Sequence, residues 1–172
     1  MPDPFKTLSL PRRFDLDLAE LHTRFIQASA ATHPDRYTDP VEQAQAAERA
    51  AEINLAYAVL SDPERRADAL LTRMGGPAKE LDKSLPPDLL MDMMETREQL
   101  EAAVADQDHA EQDKLRAWAH DQREAHLKKI AELFAAAPSD ADNQLPKDTA
   151  KTIRLELNAL RYIQRMLDQM PG

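Results

Sequence analysis

Apolar residues recur at intervals of three and four positions along most of the chain, which is the period of a helix face. Six such segments each follow a capping residue or a proline, and these residues mark where a helix begins. No alternating run of β-branched residues is long enough to predict a strand. The pattern therefore predicts an all-α fold.

The first two long helices are predicted to form an antiparallel hairpin. Asp17 caps the first helix, with Glu20 three residues later as in a capping box, and Asp39-Pro40 opens the second, Val41 to Ser61. The first buried stripe is predicted at Leu18, Leu21, Phe25 and Ala28, continuing to Thr32, and the second at Ala46, Ala50, Ile53, Tyr57 and Leu60. Small residues in the second stripe allow close packing. A short apolar cluster, Phe5, Leu8 and Leu10, precedes the hairpin.

Glycine and proline divide the rest of the chain. Asp62-Pro63 starts a shorter helix from Glu64 to Met74, and Gly75-Gly76-Pro77 ends it. We predict a domain boundary there, with a first domain over residues 1–75, a linker over residues 76–86 and a second domain over residues 87–172.

The second domain is predicted to be an antiparallel three-helix bundle, because three long helices are joined by short connections. The helices are expected from Pro87 to about Asp106, from about Asp108 to Ala137 and from Lys147 to Met170. The buried stripe of the last helix is predicted at Ile153, Leu157, Leu160, Ile163/Gln164 and Leu167.

Between the two hairpin helices lies the tripeptide His33-Pro34-Asp35. Proline removes a backbone donor and keeps the preceding residue out of the α region, so the tripeptide predicts a loop at the tip of the hairpin. Taken alone, three residues are also compatible with an ordinary corner between helices.

Composition narrows the function classes. The net charge is −9 and neither half is basic, which argues against nucleic acid or an anionic membrane as the main partner. There is no cysteine, no phosphate-binding glycine loop and no apolar run long enough for a membrane span or a signal peptide. His120 and His126 are six residues apart, on different helix faces, and are interpreted as surface positions. We therefore expect a cytoplasmic binding protein without cofactor or catalytic residues.

The segment from Ile53 to Arg66, INLAYAVLSDPERR, resembles the third and fourth helices of J-domains. Together with the His-Pro-Asp loop it implies a co-chaperone that stimulates the ATPase of a DnaK-class chaperone. The opening, with Phe5, Leu8-Ser-Leu-Pro11 and Phe14-Asp-Leu-Asp17, and the segment Leu89 to Leu100 are similar to the HscB family of iron–sulfur co-chaperones. The resemblance implies an L-shaped arrangement of J-domain and bundle.

The resemblance also implies two sets of binding residues. The chaperone-binding set is His33, Pro34, Asp35, Arg36 and Arg24. The set expected to bind the iron–sulfur scaffold IscU is Leu90, Met91, Met94, Glu95, Glu98 and Tyr162. From the residues alone, Leu89, Met93, Leu100 and Val104 already supply a core stripe, so Leu90, Met91 and Met94 either bind a partner or bury within the protein.

Two positions depart from the family pattern. Arg36 replaces the usual lysine, and Gln27 to Thr32 lacks the basic residues that normally precede the loop. Two alternatives therefore stay open: a J-domain co-chaperone for another client, and a helical interaction scaffold whose loop is inactive. A metalloenzyme is a more distant alternative.

Overall fold

The computed structural model describes residues 2–33, 37–85, 87–137 and 144–169. Within these ranges the chain forms α-helices and no strand, so the predicted all-α fold is confirmed. The helices are α1 (Pro4–Thr7), α2 (Leu18–Ala31), α3 (Pro40–Ser61), α4 (Pro63–Arg73), α5 (Pro87–Ala105), α6 (His109–Ala135) and α7 (Lys147–Gln169).

The chain divides into two compact units, residues 1–70 and residues 71–172. The predicted linker over residues 76–86 falls within the second of these units. The finer division into residues 1–75, 76–86 and 87–172 stays a prediction.

In the first unit α3 packs against both α1 and α2. Its N-terminus is capped as predicted, because the Asp39 carboxylate accepts from the amides of Val41 and Glu42. His22, early in α2, meets Tyr57, late in α3, so the two helices run antiparallel. The core contains Phe5, Leu8, Leu10, Leu16, Leu21, Ala46, Ile53, Ala56, Leu60, Ala67 and Leu70.

The predicted buried position of Leu18 is wrong, because its side chain is 56% exposed. Leu18 is the first residue of α2 and lies about 60° around the helix from Leu21, which is the residue that enters the core. Ile26 is also exposed, on a face that points away from that stripe.

In the second unit α6 packs against both α5 and α7. Gln112, early in α6, donates to the carbonyl of Ala103, late in α5, which makes these two helices antiparallel. The shared core is Leu89, Met93, Leu100, Ala103, Leu115, Ala119, Ala159, Ile163 and Met166, with Trp118, Tyr162 and Leu167 partly buried against it. Gln164 is exposed, so Ile163 alone fills that place in the predicted stripe.

The glycine pair ends α4 in a defined way. Gly75 has φ +77°, its amide donates to Thr72, and the amide of Gly76 donates to Leu71. This is a Schellman ending, which favours glycine because an L side chain is strained at positive φ. A Cβ on Gly76 would also overlap the Leu71 side chain.

Candidate functional site

The helix ends that flank the His33 loop are fixed by local hydrogen bonds. Thr32 ends α2, and its hydroxyl donates to the Ala28 carbonyl at 3.0 Å. On the other side, the Gln43 side chain donates to the Tyr37 carbonyl at 2.7 Å. His33 is exposed, while Pro34, Asp35 and Arg36 lie outside the described residues. The roles of all four stay predictions.

Aromatic side chains join α2 to α3. Phe25 stacks on Tyr57 with ring centroids 4.3 Å apart, and a ring nitrogen of His22 lies 3.3 Å from the Tyr57 hydroxyl. Such pairs add about 0.5–1.5 kcal/mol beyond the area they bury. Tyr57, within the segment that resembles J-domains, therefore holds α2 and α3 together.

Arg24, the predicted chaperone contact on α2, is exposed and lies 3.3 Å from the Glu20 carboxylate one turn earlier. Besides His22, the ionisable side chains of α2 are Arg24 and Glu20, and their opposite charges cancel. α2 consequently presents little net positive charge.

Arg66, the last residue of the segment that resembles J-domains, is buried rather than presented to a partner. It donates to the Leu60 carbonyl at 2.6 Å, and its guanidinium lies 5.2 Å from the Phe14 ring centroid. Burial lowers the pKa of Arg66, against the opposing effect of Asp62 and Asp15. We conclude that Arg66 joins α3, α4 and the segment before α2.

The predicted scaffold-binding residues of α5 remain on the surface. Leu90 is 44% exposed, Met91 75% and Met94 57%, and both Glu95 and Glu98 are exposed. At about 100° per residue, these five side chains cover an arc of about 140°. Their exposure excludes burial within the protein, and their contact with the scaffold stays a prediction.

The core stripe of α5 differs from the prediction at one place. Val104 is 42% exposed, and Ala103 takes the buried position. Val104 lies about 40° from Leu100, toward Leu90 and Met94, so it extends the exposed side of the helix. We name Leu90, Met94 and Val104 the α5 strip.

Tyr162 lies on α7 and packs against the core that it shares with α5. A cavity of about 440 Å³ separates the two helices here, lined by Arg97, Leu100, Glu101, Val104, Tyr162, Arg165, Met166 and Gln169. Arg97 pairs with Glu101 at 2.9 Å, and this carboxylate, with the nearby Tyr162 hydroxyl, raises the pKa of Arg97. Tyr162 and Val104, at one end of the α5 strip, therefore line the same cavity.

Sequence reasoning missed Arg97 and Arg165, which line this cavity. A signal was available in both cases: each lies three residues after a predicted contact, Arg97 after Met94 and Arg165 after Tyr162. Residues three apart on a helix lie on the same face.

The interpretation of His126 as a surface residue is wrong, whereas His120 is exposed. His126 Nδ1 donates to Glu156 at 2.5 Å, and Lys129 Nζ lies 2.5 Å from the other carboxylate oxygen. Burial raises the pKa of Glu156, but these bonds outweigh it and the pKa is lower than usual. The bond to Glu156 of α7 therefore keeps the side chain of His126, on α6, partly buried.

Within the described ranges, no three of His, Cys, Asp and Glu come together as a metal site. None of the helices there combines the length and the apolar character that crossing a membrane requires.

Two family matches define the class of protein. Residues 3–68 match the DnaJ domain, and residues 85–170 match the HSCB C-terminal oligomerisation domain. The chain is thus a J-domain protein whose second unit matches the C-terminal domain of HscB. It belongs to the HscB family, and the resemblance noted in its sequence is confirmed.

Two relatives match the sequence of this chain over almost its whole length. The chain is 32% identical to a co-chaperone protein HscB homolog of Pasteurella multocida, over 96% of this chain and 92% of the relative. It is 30% identical to the homolog of Mannheimia succiniciproducens, over 99% and 98% of the two chains.

Two solved structures show the same fold. HscB from Vibrio cholerae superposes with a TM-score of 0.70 at 26% identity, covering 99% of this chain and all of the other. Human HscB gives a TM-score of 0.82 at 21% identity, covering 99% of this chain and 81% of that one, which supports the fold alone.

Proposed function

We propose that this co-chaperone stimulates the ATPase of a DnaK/HscA-class chaperone and delivers the iron–sulfur scaffold IscU to it, in the cytoplasm. The loop His33-Pro34-Asp35-Arg36, with Arg24, engages the chaperone. Leu90, Met91, Met94, Glu95, Glu98 and Tyr162 bind the scaffold. The observation that supports this best is the exposure of Leu90, Met91 and Met94 on a helix whose core face is filled by other residues.

The proposed work is coupling rather than covalent chemistry. One chain that binds both scaffold and chaperone turns their encounter into an effectively intramolecular event, which raises the local concentration of scaffold. Apolar side chains flanked by carboxylates suit the scaffold surface, because a few buried apolar anchors supply most of the binding energy at an interface. Methionine adapts its shape to the partner.

Asp35→Asn tests the chaperone half of the proposal. We expect it to abolish ATPase stimulation and to leave scaffold affinity unchanged, because it removes one charge from the loop and nothing from α5. Single-turnover ATP hydrolysis by the chaperone measures the first effect, and calorimetry with IscU the second. Equal stimulation by wild type and variant would refute the role of the loop.

The double variant Leu90→Ala/Met94→Ala tests the scaffold half. We expect the Kd for IscU to rise more than about tenfold, because two apolar anchors are lost. The matched control is Val41→Ala/Leu55→Ala, which truncates two exposed apolar residues of α3 and should leave the Kd unchanged. An unchanged Kd in the α5 variant would show that the scaffold binds at another surface.

One observation favours an alternative function, an interaction scaffold with an inactive J-domain. The balance of Arg24 by Glu20 leaves α2 with little positive charge, as expected for an interaction scaffold whose J-domain no longer acts. That alternative predicts no ATPase stimulation even by the wild type, so the same assay distinguishes the two. A co-chaperone for another client would instead stimulate the ATPase and show no affinity for IscU.

A further inference from the structure

Although the chain carries a net charge of −9, cations gather along one side of α7. A groove of about 400 Å³ is lined by Lys79, Lys83, Arg161 and Arg165, and Glu80 is the one carboxylate among the described residues that line it. We call it the basic groove. Its local charge is opposite in sign to that of the whole chain, and such a contrast marks a surface that attracts anions.

One wall of the basic groove is formed by α7, and the other is held against α7 by hydrogen bonds. Arg161 and Arg165 are one helical turn apart, about 6 Å along the axis. The opposite wall is the segment before α5, which Asn158 holds by donating to the carbonyls of Asp82 at 3.0 Å and Ser84 at 2.9 Å. Arg154 donates to the Pro77 carbonyl at 2.9 Å. The backbone carrying Lys79 and Lys83 is therefore fixed beside α7.

The basic groove is continuous with the surface proposed to bind the scaffold. Tyr162 and Arg165 line both the groove and the cavity between α5 and α7. Val104, at the end of the α5 strip, lines that cavity too. A protein that covers the α5 strip and Tyr162 therefore has the cations of the groove at its edge.

The arrangement of the cations indicates the chemistry of the ligand. Two are lysines four residues apart on a non-helical segment, and two are arginines one turn apart on α7, so the charge is spread along the groove. A single phosphate favours donors that converge on one point, such as a glycine-rich backbone at a helix N-terminus. Spread cations instead match a polypeptide that carries several carboxylates.

We propose that the basic groove binds an acidic segment of the protein that covers the α5 strip. This inference rests on the proposed function, since it assigns a second contact to the same partner. The α5 strip supplies the apolar anchor. The groove adds attraction at the rim, where charges act mainly on association rate and salt dependence.

The double variant Lys79→Ala/Lys83→Ala tests the groove, because both residues are exposed and lie outside the helices. The matched control is Lys128→Ala/Lys147→Ala, which removes the same charge from exposed positions outside both cavities. The affinity of each full-length chain for IscU is measured by calorimetry between about 50 and 500 mM NaCl, where screening increases steeply.

We expect the groove variant to raise the Kd about three- to tenfold at low salt and to converge on wild type at high salt. The control should follow wild type throughout. Leu90→Ala/Met94→Ala should weaken binding at every salt concentration without changing the salt slope, because it removes no charge.

Equal Kd values and salt slopes for the groove variant and its control would overturn this inference while leaving the proposed function intact. Absence of IscU binding by the wild type would overturn both. Saturable binding of inorganic phosphate that the groove variant abolishes, with unchanged affinity for IscU, would assign the groove to a small anion and also overturn the inference.

Discussion

Glu156 shows how one residue fixes two helices of the second unit. The residue is only 2% exposed, yet its carboxylate stays charged because His126 and Lys129 of α6 both bond to it. Such charge-assisted bonds are roughly twice as strong as neutral ones, and a buried carboxylate without them is costly.

Glu156→Gln should lower the free energy of unfolding by about 2 kcal/mol at pH 7, because an amide replaces a carboxylate that accepts two charge-assisted bonds. The pKa of Glu156 is lower in the folded chain than in the unfolded chain. Its contribution is therefore complete above the ordinary carboxyl pKa, about 4.3, and is lost as pH falls below it.

Urea unfolding at pH 7 and at about pH 3.5 measures both effects. Glu132→Gln, at an exposed position of α6, is the control and should change little. A difference between Glu156→Gln and wild type that persists undiminished at the lower pH would contradict the assignment.

Individual residues also show where the sequence is insufficient. A histidine in a polar helix predicts a surface position, and His126 departs from this because its partner lies thirty residues away on α7. The excess of apolar residues at Met91 and Met94 over the core pattern is visible in the helix itself, but the local pattern left open whether they are exposed or buried. Pairing across helices depends on register, which the local pattern does not contain.

Among the helices, α2 has the clearest consequence for function. J-domains normally present basic residues before the loop, whereas here Gln27, Ala28 and Ala30 precede it and Glu20 balances Arg24. Electrostatic steering of the chaperone should therefore be weak.

Raising NaCl from about 50 to about 300 mM should reduce ATPase stimulation less than about threefold, because screening has little net charge on α2 to act on. The double variant Gln27→Lys/Ala31→Lys adds two exposed cations and should increase stimulation at low salt only. Single-turnover hydrolysis across the salt series measures both chains. A tenfold loss in the wild type would show that charges outside α2 steer the chaperone.

The boundaries of the helices were largely predictable because the caps are local. Asp39, Asp62 and the Gly75-Gly76 pair each act through bonds to backbone groups within five residues. Leu18 and Val104 were misassigned because each lies at the edge of an apolar stripe. Whether an edge residue is covered depends on the helix beside it.

Across the whole molecule, the acidic net charge and the basic groove are compatible. The net charge of −9 argues against a nucleic acid as the main partner, yet it does not reveal where the cations lie. Lys79 and Lys83 are about eighty residues from Arg161 and Arg165 in the chain, and only the packing of their segment on α7 brings them together. The apolar excess of α5 is visible in one helix, whereas the groove could not be predicted from any single segment.

The exposed methionines of α5 are also the side chains through which oxidants are expected to act on this cysteine-free chain. Of the five methionines within the described ranges, Met74, Met93 and Met166 are buried, while Met91 and Met94 are exposed. Peroxide converts an accessible thioether to a polar, chiral sulfoxide, which sulfoxide reductases reverse. Among these five side chains, oxidation therefore reaches first the two that lie on the proposed scaffold surface, where added polarity weakens an apolar contact. The same adaptability that suits methionine to a partner makes this face sensitive to redox conditions, reversibly and without any thiol.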